Sequence, residues 1–298
     1  MADAVVLVSG GAAVTPYTDS ERAAATGLAA GNTLTALREH LVSAGVPVFT
    51  APARMGRGTV ERDAGWQGFD DVPLVLPAEM TVNAVGPVDD AGGALAAFVR
   101  WLRTERGVGS VDLVGHSMGG LFSRAAIREL RTGGPRVERL VTLGTPWDGA
   151  VLGDAVAGDL TEADAHADPA TTTILRQALA YAEANSEGAA EQVSRRFLRA
   201  WNQTQAGVLD GIAVTAIGAG YFAAATEPTQ LWPHDGLVSL RSGRADDVPL
   251  EVAPVVERHS FPDHVHSIFF ADAFGLPWER ALTWDPGVFA LVDSALGI

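Results

Sequence analysis

A serine near the middle of the chain stands in a Gly-x-Ser-x-Gly pattern typical of an enzymatic nucleophile. The residues Gly115-His116-Ser117-Met118-Gly119 follow the apolar run 111–114 and precede a second apolar stretch. A strand, a tight turn and a helix hold such a serine in a strained conformation with its hydroxyl exposed, and the glycines leave room for the turn. The helix that begins there points its N-terminal dipole at developing negative charge. The pattern therefore predicts that Ser117 is a nucleophile.

A serine hydroxyl needs an imidazole to take its proton and a carboxylate to orient that imidazole. In a strand–turn–helix arrangement the acid and then the histidine follow the serine along the chain. We predict Asp235 as the acid, because it precedes Gly236 and an apolar run downstream of the strand expected at 212–217. Asp148, after the preceding strand, is the competing candidate. A turn residue without a catalytic part is the other interpretation of Asp235.

Three histidines crowd the last loop before the carboxyl-terminal segment, where the base is expected. We predict His264 as the base, with His266 as the main alternative and His259 as the third candidate. His116 lies inside the turn itself, whose geometry keeps it from acting as the base for Ser117, so we expect it to pack near the site.

The oxyanion of an acyl-transfer intermediate needs two preorganised backbone donors. We predict that one is the amide of Met118 and that the other comes from the loop after the first strand, with Gly11 as first choice and Ala12 as second. A phosphate-binding loop is a weaker interpretation, because Gly10-Gly11 lacks the further glycine and the lysine of such loops.

The elements that must position these residues alternate between strands and helices, which predicts a mostly parallel sheet flanked by helices in a single α/β domain over residues 1–298. Apolar, β-branched runs predict strands, and helical spacing with capping signals predicts helices. The expected strands are 4–8, 46–49, 111–114, 137–143, 212–217 and 252–256, and the expected helices run from Asn32 to Gly45, from Asp89, from Ser117 and over 286–296. Residues 51–87 predict a loop with short helical turns.

Residues 150–208 interrupt this alternation with alanine-rich and acidic sequence that carries no strand signal. Helices are expected near 172–184 and 189–203, the second with an apolar face that includes Leu198 and Trp201. We predict a helical cap, or lid, over the carboxyl ends of the strands. A helical layer packed elsewhere is the alternative, because periodicity does not reveal what a face contacts.

The motifs together resemble the α/β-hydrolase superfamily, and within it the bacterial triacylglycerol lipases and esterases. The resemblance is carried by four segments: Ser9-Gly10-Gly11 after the opening strand, residues 115–119, Leu143-Gly144-Thr145-Pro146, and Asp235-Gly236-Leu237-Val238-Ser239. It implies hydrolysis of acyl esters through a serine acyl-enzyme, a mobile helical lid and no organic cofactor.

Two departures from the family pattern qualify that expectation. Family members usually carry His-Gly after the first strand, where this chain has Ser9-Gly10. Many also bind calcium through an aspartate two residues after the catalytic histidine, and with His264 as the base that position is His266. This chain has no cysteine, so it also lacks the disulfide of those lipases. We therefore predict no metal site, and we favour a general carboxylesterase over a long-chain lipase.

Composition narrows the possible partners. A formal net charge of −15 argues against nucleic acid and leaves a small-molecule acyl ester or lipid as the expected partner. No basic leader or long apolar segment precedes the first strand, which predicts a cytoplasmic protein without a transmembrane segment. Oligomeric state stays open.

Other functions share the same machinery. A thioesterase, an acyltransferase or a polyester hydrolase would use the same first half-reaction. A non-catalytic binding protein is disfavoured, because it has no need for a serine, an acid and a histidine in that order.

Overall fold

A computed structural model of the protein describes residues 2–20, 34–60, 75–184, 189–224 and 229–298. The expected helix cap at Asn32 and much of the loop expected at 51–87 lie outside these ranges. The strands are β1 Ala4–Val8, β2 Val48–Thr50, β3 Ala53–Arg54, β4 Val82–Asn83, β5 Ser110–His116, β6 Arg136–Leu143, β7 Ala213–Ala219 and β8 Val256–Phe261. The α-helices are α1 Thr35–Ser43, α2 Val88–Arg106, α3 Met118–Leu130, α4 Val151–Val156, α5 Pro169–Ala184, α6 Ala189–Gln192, α7 Arg195–Gln203, α8 Leu240–Gly243, α9 Ile268–Ala273 and α10 Pro286–Leu296. Short 3₁₀ helices span Ala78–Met80, Glu162–Ala165 and Trp278–Arg280.

In the described residues the main sheet has the strand order β2-β1-β5-β6-β7-β8, and every neighbouring pair is parallel. The predicted parallel sheet is confirmed. Parallel neighbours require crossovers, and the helices between strands supply them. The carboxyl ends of the strands therefore meet at one edge, where β1, β5 and β6 deliver the loops that hold the candidate site.

Both faces of the sheet are covered, as the continuous apolar character of β1 predicts. Alternate residues of this strand enter opposite cores: Val6 and Val8 pack in the core of α2 and α3, whereas Val5 and Leu7 pack in the core of α1 and α10. The result is a three-layer arrangement of helix, sheet and helix.

The last strand corrects one expectation. The apolar run 252–256 was expected to form it, but β8 begins only at Val256 and continues through polar residues to Phe261. Val252 and Ala253 are buried in a turn that closes on the carbonyl of Pro249, and Pro254 follows them. As the edge strand of the sheet, β8 has no fully buried residue and tolerates the consecutive polar residues 257–260.

The described residues of the insertion between β6 and β7 form helices joined by turns, with no strand among them, and comprise α4 to α7. Its last helix is anchored to α3 by Arg124, whose fully buried guanidinium lies 4.4 Å from the ring centre of Trp147 and 4.7 Å from that of Trp201. Arg124 also donates to Asn202 Oδ1 at 2.7 Å. Burial lowers the pKa of Arg124 to about 9, and the two indole faces stabilise the cation there.

Candidate active site

Ser117 occupies the sharp turn between β5 and α3, with φ 56° and ψ −132°, in the left-handed half of conformational space. L-residues with a Cβ rarely adopt such angles, so the turn stores strain and needs close-fitting neighbours. A Cβ on Gly119 would lie 2.1 Å from the Val8 carbonyl oxygen, and one on Gly115 would lie 2.5 Å from the Gly120 amide. The predicted strand–turn–helix geometry is present.

The Leu143-Gly144-Thr145-Pro146 segment braces this turn from the neighbouring strand. The Ser117 amide donates to the Leu143 carbonyl at 2.8 Å, and the Thr145 hydroxyl donates to the Ser117 carbonyl at 2.8 Å. Gly120 must be small, because a Cβ there would lie 2.1 Å from Thr145 Oγ1. The sequence motif marked Thr145 as part of the resemblance but did not reveal its role, which depends on contact between two loops.

Asp235 lies against His266. The carboxylate Oδ2 is 2.7 Å from His266 Nδ1, and the two side chains are almost fully buried. The other oxygen, Oδ1, accepts from the amides of Leu237 and Val238 at 2.9 and 2.8 Å. The His266 amide donates to the Asp235 carbonyl at 2.9 Å. A carboxylate held at three points fixes the imidazole with Nδ1 as its donor, so Nε2 is left to accept a proton.

The imidazole of His266 packs beside the turn that holds Ser117. The Leu143 carbonyl accepts from the Ser117 amide, and Gly144 follows it in the chain. A Cβ on Gly144 would lie 3.0 Å from His266 Nδ1. On the other side the ring of His116 is centred 4.7 Å from that of His266, and His116 Nε2 is 3.0 Å from the His266 carbonyl. His266 Nε2 is buried and has no hydrogen-bond partner among the described residues.

His116 is fully buried, as expected for a residue that packs near the site. Burial is the main cause that holds the pKa of His116 well below its usual range, and the neighbouring His266 is a smaller one. It is therefore neutral at pH 7, and its one proton is available for the His266 carbonyl.

His264, the predicted base, does not contact Asp235 in the structure. Its Nε2 lies 3.0 Å from Oδ2 of Asp285, the residue that caps α10, without forming a hydrogen bond there, so its neighbouring carboxylate is a different one from that which holds His266. The third candidate, His259, lies in β8 and pairs with Glu257 at 2.9 Å. The structure thus brings Asp235 together with the alternative, His266.

Asp148, the competing acid, faces the insertion. It lies 3.5 Å from Arg195 Nε and 3.4 Å from Arg199 Nε, both on α7. Burial raises the pKa of Asp148 and the two guanidinium groups oppose that rise. This carboxylate ties the loop after β6 to the insertion.

The predicted oxyanion donors, Met118 and Gly11, lie side by side. Met118 is the first residue of α3, so its amide has no acceptor within the helix. A Cβ on Gly11 would lie 2.9 Å from Met118 Sδ, and both residues line the same cavity as Ser117. The second choice, Ala12, donates its amide to the Ala84 carbonyl at 3.1 Å and is thereby used elsewhere.

A cavity of about 270 Å³ opens at Ser117. Among the residues that line it, the polar side chains are Ser117, Gln177 and Tyr181, and the rest of the wall is apolar or glycine. One wall comes from the insertion: Ile174, Gln177, Ala178, Leu152, Tyr181, Ala189, Ala190 and Val193. Residues of the insertion therefore share the cavity with the candidate nucleophile.

The described residues gather no group of three histidine, aspartate or glutamate side chains suited to a metal ion. If His266 is the base, the calcium-ligand position of the lipases falls on Ile268, which has no ligating oxygen. In the part of the chain that the structure describes, each helix is too short or too polar to cross a bilayer.

Comparison with known proteins agrees with this architecture. The family described as the PGAP1-like alpha/beta domain matches residues 97–224. The mature lipase BlEst2 of Bacillus licheniformis is 16% identical, with a TM-score of 0.53 over 92% of this chain and 89% of the lipase. The lin2722 gene product of Listeria innocua is 16% identical, with a TM-score of 0.51 over 98% of this chain and 93% of that protein. No curated protein matches the sequence significantly. The chain has the α/β-hydrolase fold, as its motifs predicted.

Proposed function

We propose that the protein is a serine ester hydrolase that cleaves small apolar acyl esters through a Ser117–His266–Asp235 triad. The observation that carries the proposal is the buried 2.7 Å contact between Asp235 and His266 beside a strained serine that lines an apolar cavity. A buried carboxylate–imidazole pair next to a serine in this conformation serves acyl transfer well. The α/β-hydrolase fold supports the same chemistry.

In the proposed mechanism the Ser117 hydroxyl attacks the ester carbonyl while His266 Nε2 takes its proton. Asp235 stabilises the imidazolium that forms, and it stays ionised throughout. The amides of Met118 and Gly11 and the N-terminal end of α3 stabilise the oxyanion. His266 then protonates the departing alkoxide, which leaves an acyl-enzyme. A water molecule that loses its proton to His266 releases the acid and restores Ser117.

The cavity suggests the size of the acyl group. Its volume of about 270 Å³ is at the small end of the range for ligand pockets, which is about 300–1,000 Å³. We therefore infer that short and medium acyl chains fit better than long ones. The apolar wall favours alkyl chains over charged acyl groups, because it offers a charge neither solvation nor a partner.

The experiment is hydrolysis of p-nitrophenyl esters from two to sixteen carbons by the wild type and by Ser117→Ala. We expect an optimum at short or medium acyl chains, loss of several orders of magnitude in kcat in the variant, and fluorophosphonate labelling of the wild type alone. Thioesters of the same chain lengths, run in parallel, separate an esterase from a thioesterase. No turnover and no labelling in the wild type would refute the proposal.

A further inference from the structure

The residue before Asp235 connects the acid turn to the helical insertion. His234 is fully buried, and both of its ring nitrogens make hydrogen bonds. The Gly236 amide donates to Nδ1 at 3.1 Å. A backbone amide can only donate, so Nδ1 is an acceptor and the proton of the neutral ring is on Nε2.

That proton faces helix α5 of the insertion. His234 Nε2 lies 3.0 Å from the hydroxyl oxygen of Thr171, which is also fully buried. The Thr171 hydroxyl gives its own proton to Asp168 Oδ2 at 2.6 Å, so its oxygen accepts from His234. Asp168 also accepts from the Thr171 amide at 2.8 Å, which fixes the carboxylate at the start of α5. The chain of donors thus runs in one direction, from the Gly236 amide through His234 and Thr171 to Asp168.

The protonation state of His234 agrees with this assignment. Burial lowers its pKa to about 4, against the raising effect of Asp235 on its own turn and Asp168 on the insertion. The packed neighbours Phe222 and Trp232 carry no charge. The hydrogen bond from Gly236 requires a neutral His234 ring, because a proton on Nδ1 would point at the hydrogen of the Gly236 amide.

A second contact joins the same turn to the insertion. The Val151 amide, at the start of α4, donates to the Leu237 carbonyl at 2.7 Å. The Leu237 amide in turn donates to Asp235 Oδ1 at 2.9 Å. The turn that aims the carboxylate at His266 is therefore held by two different helices of the insertion, in addition to its own internal bonds.

We propose that Thr171 is a positioning residue for the ester hydrolysis proposed above: through His234 it makes the geometry of the Asp235 turn depend on a docked insertion. The insertion then has two roles, as a wall of the acyl cavity and as a support for the triad acid. The inference rests on the proposed function. Neither Thr171 nor His234 contacts the reacting atoms, so they act through Asp235.

The test compares Thr171→Val with Thr171→Ser, which keeps the hydroxyl, and with Thr173→Val as a matched control. Thr173 lies on the same helix, is exposed, and bonds only to the Pro169 carbonyl at 2.8 Å. We expect Thr171→Val to lower kcat about tenfold, the rate equivalent of one buried hydrogen bond, with KM changed less than about twofold. Thr171→Ser should restore most of the rate, and Thr173→Val should match the wild type.

His234→Asn is the second variant, for use if Thr171→Val does not fold. Its amide oxygen replaces Nδ1 as acceptor for Gly236 but does not reach Thr171, so the same loss of kcat is expected. Three results would overturn the inference while leaving Ser117-dependent hydrolysis intact. The first is wild-type kcat in Thr171→Val or, where that variant does not fold, in His234→Asn. The second is a loss that Thr171→Ser does not restore, and the third is an equal loss in Thr173→Val. A wild type without esterase activity overturns the proposed function and the inference with it.

Discussion

Replacing His266 by alanine should abolish turnover while leaving the protein folded. The variant removes the nitrogen proposed to take the serine proton, and it leaves Asp235 with its two amide bonds from Leu237 and Val238. General-base assistance and nucleophile activation together are worth about 10⁴-fold or more in kcat. We therefore expect hydrolysis of p-nitrophenyl butyrate to fall by at least that factor, with a small effect on KM.

His264→Ala is the matched control, because this histidine is two residues away, is also nearly buried and also contacts a carboxylate. Its partner Asp285 caps α10 by accepting from the Val288 amide at 2.9 Å, and that bond survives the substitution. We expect kcat within about threefold of the wild type and a loss of unfolding free energy of about 1 kcal/mol, because the nearly buried ring loses its packing against Phe261. The two variants thus separate catalysis from stability.

The assay measures steady-state hydrolysis and fluorophosphonate labelling at 25 °C, with urea unfolding of each variant. Labelling should be slow in His266→Ala, since the serine is no longer activated, and normal in His264→Ala. The reverse pattern, with activity lost in His264→Ala and kept in His266→Ala, would refute the assignment of the base from the 2.7 Å contact with Asp235.

Three further predictions follow from the same contacts. Gly10→Ala places a Cβ 2.5 Å from Ser117 Cβ and 3.1 Å from its Oγ, so steady-state assays should show kcat lowered about 100-fold or more. Gly93→Ala is the control, because a Cβ there meets open space. It should keep full activity and gain about 0.5–1 kcal/mol of unfolding free energy in urea. The pKa of His234 falls from 6.5 in the unfolded chain to about 4 in the folded protein, so the unfolded state binds a proton that the folded state does not. The free energy of unfolding should therefore drop by about 2 kcal/mol between pH 7 and 5. His234→Asn should lack that part of the drop, and a pH dependence identical to that of the wild type would contradict the prediction. Ala178→Phe fills the cavity from α5, so the optimum in the ester series should shift to shorter chains; an unchanged optimum would place the acyl group elsewhere.

The sequence was sufficient for the central elements, because their signals are local. The continuous apolar run at β1 and the Gly-x-Ser-x-Gly turn appear where they were predicted, and α10 spans Pro286–Leu296 as expected. The edge strand β8 was misplaced for a physical reason: its residues are all half-buried or exposed, so it lacks the apolar run that marks a buried strand. The apolar residues before it are buried in a turn instead.

The acid and the base differ in how far sequence reasoning could reach. Asp235 precedes a glycine in a turn whose own amides bind its carboxylate, so its role as a fixed carboxylate had a local signal. The choice between His264 and His266 depends on Asp285 and Asp235, which lie far from each histidine in sequence and are brought together only by the packing of α10 and of the loop after β7. Residue type and spacing are the same for both histidines, and so no local rule distinguishes them.

The insertion and the turn of Asp235, the proposed triad acid, are structurally coupled in this protein. The Asp235 carboxylate faces His266 correctly only while its turn keeps its shape, and that turn bonds to α4 through Leu237 and to α5 through His234. A displacement of the insertion would remove both hydrogen bonds, each of which contributes about 0.5–1.5 kcal/mol of net stability. This cost favours the docked insertion whenever the acid turn is in its catalytic shape. Access to the cavity and the geometry of the acid are therefore linked by the same hydrogen bonds.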